Sequence, residues 1–127
     1  MPDIVICEFM DEAPIQELAR HFDTIYQPDL VDRPDDLKTM LTDARAIILR
    51  NRTQLRGELL DAAPKLAVVG RLGVGLDNID LDACQARGIR VFPATGANDD
   101  GVAEYVIAAA MTLLRGAFHA NGDMLAG

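Results

Sequence analysis

Short apolar runs alternate along the chain with segments whose apolar residues fall at helical spacing, and this alternation constrains the fold more than any other feature. The runs are Asp3–Phe9, Thr24–Tyr26, Ala46–Leu49, Leu66–Gly70 and Ile89–Phe92. They are too short for helices and rich in β-branched residues, so they read as buried strands. Between the first two, Ile15, Leu18, Ala19 and Phe22 share a helical face, and Pro14 is tolerable in the first turn. Leu37, Met40, Leu41 and Ala44 make a second stripe. "LRGELLDAAP" predicts a short helix stopped at Pro64. Asp80 is placed to cap "LDACQAR", and Gly88 to end it. A longer helix starts near Asp99 or Asp100, with Val102, Val106, Ala109, Ala110, Leu113 and Leu114 among its apolar positions.

Parallel strands need crossover connections, so strict alternation of strand and helix implies a parallel sheet covered on both faces. Five strands predict a flavodoxin-like, doubly wound α/β sheet that ends in a long crossover helix. The organisation expected is a lobe over residues 1–98, followed over 99–127 by the long helix and its continuation.

Bulk properties narrow the partners. The chain has 127 residues, half of them hydrophobic, which is enough for one domain with a core. The net charge of −8 disfavours nucleic acid and anionic membrane surfaces. Cys7 and Cys84 lie inside apolar patterns and read as small buried hydrophobes. His21 and His119 are far apart in sequence, both are expected to face solvent, and no metal site is predicted. Asp3 and Glu8 interrupt the first apolar run, and no apolar stretch is long enough to span a bilayer. A soluble, cytoplasmic protein is the expectation.

The stretch "VVGRLGVGLDNID", Val68–Asp80, carries the most chemistry. A strand runs into glycines, as phosphate-binding loops do. The spacing argues against a dinucleotide site. The Gly-x-Gly-x-x-Gly pattern begun at Gly73 and Gly75 puts Asn78 at its third glycine, and begun at Gly70 it puts Leu72 at its second. Neither Lys38 nor Lys65 follows a glycine, so no Walker loop is present. Gly73 and Gly75 equally admit a plain tight turn. Asp77, Asn78 and Asp80 read as turn residues that bond their own backbone. Glu104 suits the dipole at the start of the long helix.

Ligands of open parallel sheets bind at the carboxyl ends of the strands. Those ends are Glu8–Met10, Arg50–Thr53, Arg71–Gly75 and Ala94–Asn98, and they bring Arg50, Arg52 and Arg71 to one edge. Arginine forks match carboxylate, phosphate and sulfonate, so the edge is suited to a small anion. The alternative is that these arginines pair with acids such as Asp77 or Glu8.

The pieces "RNRT", "GVGLDNIDLDAC", "ARGIRV" and "VAEYVI" resemble, in order and spacing, the D-isomer-specific 2-hydroxyacid dehydrogenases, in particular the phosphoglycerate dehydrogenase-like branch. The resemblance is strongest from Ala46 to Arg115. It implies an NAD- or NADP-linked oxidoreductase that interconverts a 2-hydroxy acid and a 2-oxo acid. It further implies that this chain is the substrate-binding lobe, with the dinucleotide fingerprint and the catalytic Arg, Glu and His in a second lobe. No catalytic residue is therefore assigned here, and the chain alone is expected to be inactive. Carried over by motif, Val74 and Gly75 present backbone N–H groups to the substrate carboxylate, and Gly73 shapes the turn. Asn51 or Arg50 faces the distal end of the substrate, with Arg71 nearby. Val74 and Val102 touch the nicotinamide side. The edge arginines favour a small substrate with a second anionic group. Relatives in the family imply a homodimer.

Two other readings share the architecture. A signalling receiver domain needs a phosphoacceptor Asp at the end of the third strand, where Arg50 stands. A freestanding ligand-binding or interaction module is compatible with the absence of a complete catalytic set.

Overall fold

The computed structural model describes residues 2–73 and 75–93, together with Ala108 and Thr112. Its strands are β1 (Ile4–Ile6), β2 (Thr24–Tyr26), β3 (Ala46–Leu49), β4 (Val68–Arg71) and β5 (Arg90–Pro93). Its helices are α1 (Glu12–His21), α2 (Pro34–Leu41), α3 (Gly57–Asp61) and α4 (Leu81–Ala86), with a 3-10 turn at Pro28–Asp32. The five strands form one sheet in the order β2-β1-β3-β4-β5, and every pairing is parallel. This is the flavodoxin-like order that the alternation predicts. The long helix expected from residue 99 lies outside the described residues, except that Ala108 and Thr112 are helical and the Thr112 hydroxyl donates to the Ala108 carbonyl at 2.9 Å.

Side chains of a strand alternate between faces, and here both faces are apolar. Val5, Cys7, Ile47, Leu49 and Val69 pack with Leu37 and Leu41 of α2, Leu60 of α3 and Cys84 of α4. Ile4, Ile6, Ala46, Ile48 and Val68 pack with Leu18 of α1 on the other face. Helices on both sides thus explain why the strands read as unbroken apolar runs rather than alternating ones.

Element ends depart from the sequence expectation for identifiable reasons. β1 stops at Ile6 rather than Phe9. The Cys7 N–H still reaches the Ile48 carbonyl at 3.1 Å, but Glu8 turns its carboxylate toward the neighbouring loop. α2 ends at Leu41, and Ala44 reaches the core from the following turn, its N–H bonded to the Leu41 carbonyl at 3.3 Å. α4 behaves as its signals predict. The Asp80 carboxylate accepts from the Ala83 N–H at 3.1 Å, and Gly88 takes φ +72°, the left-handed conformation that favours glycine after a helix.

Both cysteines are buried and unpaired. Cys7 Sγ lies 3.4 Å from the Thr53 hydroxyl and 3.6 Å from the Ile48 carbonyl. Burial pushes the Cys7 thiol up to about 12, with the negative charge of Glu8 acting in the same direction and the Thr53 hydrogen bond opposing. Burial, reinforced by Asp80, also raises Cys84. The thiolate is the reactive form, so both residues are held in the inert state at neutral pH. A disulfide reagent at pH 8 is expected to label neither cysteine in the folded chain and both in denaturant. Native-state labelling of Cys7 at the rate of a free thiol would show that its site opens.

Candidate functional site

Three chain segments meet at the carboxyl end of β1, β3 and β4. The first contributes Glu8, which is only 4% exposed. Its carboxylate accepts from the Arg50 N–H at 2.9 Å, the Arg52 N–H at 3.2 Å and the Thr53 N–H at 2.9 Å. A buried carboxylate needs compensation, and hydrogen bonds to its charged form supply it. The alternative that the edge arginines pair with acids holds for Arg52, through Asp32, but not through Glu8, whose partners are backbone N–H groups.

The same loop is held from its other side by Asn78, 5% exposed. Asn78 Nδ2 donates to the Arg50 carbonyl at 2.7 Å and to the Thr53 carbonyl at 2.8 Å. The backbone of Asn78 adds a third tie, its carbonyl accepting from the Leu55 N–H at 2.8 Å. The reading of Asn78 as a residue bonding its own turn is therefore corrected. Its amide serves a loop that follows a different strand, because a two-donor amide can bridge two carbonyls at once. Asp80 does bond its own turn, as the helix cap described above.

Arg71, the last residue of β4, is 8% exposed. Its Nε donates to Asn78 Oδ1 at 3.3 Å, and its Nη1 donates to the Leu72 carbonyl at 2.7 Å. No carboxylate among the described residues forms an ion pair with it. The guanidinium lies against the glycine loop. A Cβ on Gly73 would stand 2.3 Å from Arg71 Nη1, and the φ of Gly73 is +138°. A Cβ on Gly75 would meet Arg71 Nη2 at 3.6 Å, an ordinary contact. Gly73 is thus required both by its backbone angle and by the arginine behind it, whereas a side chain at Gly75 would meet only an ordinary contact.

These residues enclose a pocket of about 310 Å³, lined by Asn51, Gln54, Arg71, Gly75, Asp77 and Asn78. Of the site residues predicted from sequence, Asn51, Arg71 and Gly75 line it together, and Gly73 abuts it through Arg71. Arg50 does not line it: its main chain is pinned by Glu8 and Asn78, and its Nη1 donates to the Phe9 carbonyl at 3.4 Å. Arg52 is an ion-pair partner of exposed Asp32. Val74 and Val102 lie outside the described residues, as do Glu104 and His119. His21 is exposed at the end of α1. Gln54 and Asp77 are pocket residues not singled out for binding beforehand. The Asp77 carbonyl accepts from the Arg56 guanidinium, which fixes the turn carrying it. Gln54 had one available signal, its place directly after "RNRT" at a strand end.

The glycine loop differs from a pyrophosphate cradle. In such a cradle the loop runs straight into a helix whose N–H groups face the phosphates. Here α4 begins only at Leu81, and the space behind Gly73 is filled by a guanidinium. The arrangement suits a small anion better than a dinucleotide. No helix among the described residues is long and apolar enough to cross a membrane.

Known proteins resemble this chain throughout its length. Residues 4–123 match the family described as D-isomer specific 2-hydroxyacid dehydrogenase, catalytic domain. The chain is 48% identical over 127 residues to the (S)-sulfolactate dehydrogenase of Chromohalobacter salexigens, covering all of this chain and 41% of that protein. It is 42% identical over 90 residues to the D-3-phosphoglycerate dehydrogenase of Haemophilus influenzae, covering 71% of this chain and 22% of that protein. Among solved structures, an NADPH-dependent glyoxylate/hydroxypyruvate reductase from Sinorhizobium meliloti, in complex with NADP and malonate, matches with a TM-score of 0.59 at 27% identity over 72% of this chain and 28% of that one. The chain spans less than half the length of each of these proteins.

The two glycines should respond differently to substitution. Gly73→Ala is expected to cost about 1–3 kcal/mol in chemical denaturation, because it strains the backbone and displaces a buried arginine. Gly75→Ala should change stability by less than about 0.5 kcal/mol. Equal losses at both positions would contradict the geometry of Arg71 beneath the loop.

Proposed function

The chain belongs to the D-isomer specific 2-hydroxyacid dehydrogenase family, and on that premise we propose that it is the substrate-binding part of an NAD(P)-dependent oxidoreductase that interconverts a 2-hydroxy acid and a 2-oxo acid carrying a second anionic group. The observation that carries this reading is Arg71: a nearly buried guanidinium, free of any described carboxylate, that lines the pocket at the carboxyl end of the sheet. Sulfolactate and phosphoglycerate, named in two of the relatives, each pair a carboxylate with a second anion, which supports the same substrate class.

In this reading residues 1–98 form the substrate lobe, and residues 99–127 carry the long helix toward a dinucleotide-binding domain. The backbone N–H groups of Val74 and Gly75 hold the substrate carboxylate. Such donors need no particular protonation state and are kept in place by β4. Asn51 and Arg71 receive the distal anion. A bound nicotinamide would supply or accept the hydride, and Val74 and Val102 would border its side. The acid/base His, its carboxylate partner and the arginine that polarises the carbonyl come from the second domain. This chain binds and orients: it fixes both ends of the substrate so that the reacting carbon has one position. The assembled enzyme is read as a cytoplasmic homodimer, and the 127-residue chain alone as inactive.

Substrate kinetics of the enzyme with both domains test the reading. Arg71→Ala removes a charge-assisted hydrogen bond worth about 1.5–3 kcal/mol, so kcat/KM for a doubly anionic substrate should fall about ten- to a hundredfold. A substrate with a neutral distal group should lose less. Equal losses on both would mean that Arg71 only supports the scaffold.

A further inference from the structure

We propose that Asn78 is a positioning residue that sets the charge preference of the pocket. It aims Arg71 and the 50–53 loop at one point while leaving the arginine without an ion-pair partner among the described residues. This inference rests on the anion-binding reading of the pocket.

The geometry divides the Asn78 amide into two halves with different tasks. The nitrogen half holds the loop that carries Asn51, through the Arg50 and Thr53 carbonyls at 2.7 and 2.8 Å. The oxygen half takes Arg71 Nε at 3.3 Å. Arg71 Nη1 is committed to the Leu72 carbonyl. Nη2, on the side of Gly75, has no acceptor among the described residues. The guanidinium is therefore anchored through two of its nitrogens by neutral oxygens, and its third nitrogen lies beside the pocket.

A neutral anchor matters. A carboxylate in the place of the amide oxygen would orient Arg71 equally well, but it would also cancel its charge. It would in addition set an acceptor against two carbonyl oxygens where Nδ2 now donates. Asparagine is the side chain of this size that donates twice, accepts once and brings no charge. Glu8 completes the arrangement: its carboxylate is turned to backbone N–H groups of residues 50, 52 and 53 and not to Arg71.

The test uses the enzyme with both domains and two substrates that differ at the distal end, 3-sulfolactate and glycerate. The readout is the ratio of their kcat/KM values. Three variants are compared with wild type: Arg71→Ala, Asn78→Ala and the near-isosteric Asn78→Asp. Arg71→Ala is expected to reduce the preference for sulfolactate at least tenfold. Asn78→Asp should reduce it comparably, because its carboxylate neutralises the guanidinium. Asn78→Ala should act through the same arginine, so that adding it to Arg71→Ala changes the ratio by less than about twofold. A merely structural Asn78 would lower the melting temperature and both kcat/KM values together, with the ratio unmoved and the double variant additive; that result overturns the proposal. If Asn78→Ala fails to fold, Asn78→Asp alone decides, an unchanged ratio again overturning it. If Arg71→Ala itself keeps the wild-type preference, the anion-binding reading falls, and this inference falls with it.

Discussion

Three main-chain N–H groups converge on the Glu8 carboxylate, and the rest of the site depends on that convergence. The segment after β3 leaves the sheet and exposes a run of donors that no neighbouring strand can satisfy. A buried N–H without a partner costs about 1–3 kcal/mol, so a loop of this kind is stable only if acceptors are brought to it. Glu8 brings them from the adjacent strand β1. Asn78 then satisfies the carbonyls of the same loop from β4's side. With its backbone polar groups occupied on both sides, the loop holds Asn51 at the pocket wall without borrowing Asn51's own side chain for support.

The same economy governs charge. The chain carries a net charge of −8, yet the pocket contains a buried arginine. In a strongly acidic protein the simplest fate of such a residue is an ion pair with a nearby carboxylate, which would leave nothing for a ligand. Here the nearest buried acid is occupied by amides, and the arginine is held by an amide oxygen and a carbonyl. Neutral hydrogen bonds fix its direction while its field still reaches into the pocket. Burial of the guanidinium strengthens that field relative to an arginine at the open surface. Arg52, which is exposed and paired with Asp32, shows the contrasting outcome on the same edge.

Much of the fold was legible in the sequence because the strands, buried on both faces, stand out as apolar runs whose number and spacing dictate a parallel sheet. Ala46–Leu49 and Thr24–Tyr26 coincide with their strands for this reason. Glu8 was less legible. A glutamate at the end of a strand looks like a solvent-facing terminus, and nothing local marks acceptors for N–H groups more than forty residues away. Asn78 misled in the opposite way: its neighbours Asp77 and Asp80 belong to a turn, and turn chemistry is local, whereas its amide acts across the sheet edge. Asn51, Arg71 and Gly75 were within reach because strand ends in a parallel sheet converge. Gln54 was not, since the loop between Thr53 and α3 has no periodic pattern to orient its side chains.

The clasp also bears on the order in which the molecule acquires shape. Glu8 and the loop that donates to it are separated by 42 to 45 positions along the chain, and Asn78 reaches back a further 25 to 28. Contacts of such range form late, because the loops that join them must first be closed at an entropic cost. The helices can form while the pocket edge is still open, but the edge closes only when β1, β3 and β4 are all in register. A nascent or partly unfolded chain therefore presents no anion site, and binding competence arrives together with the finished sheet. Any ligand that enters the pocket in turn acts as a fastener between the segments that follow β3 and β4, stabilising the native state by mass action wherever it binds the closed edge and not the open chain.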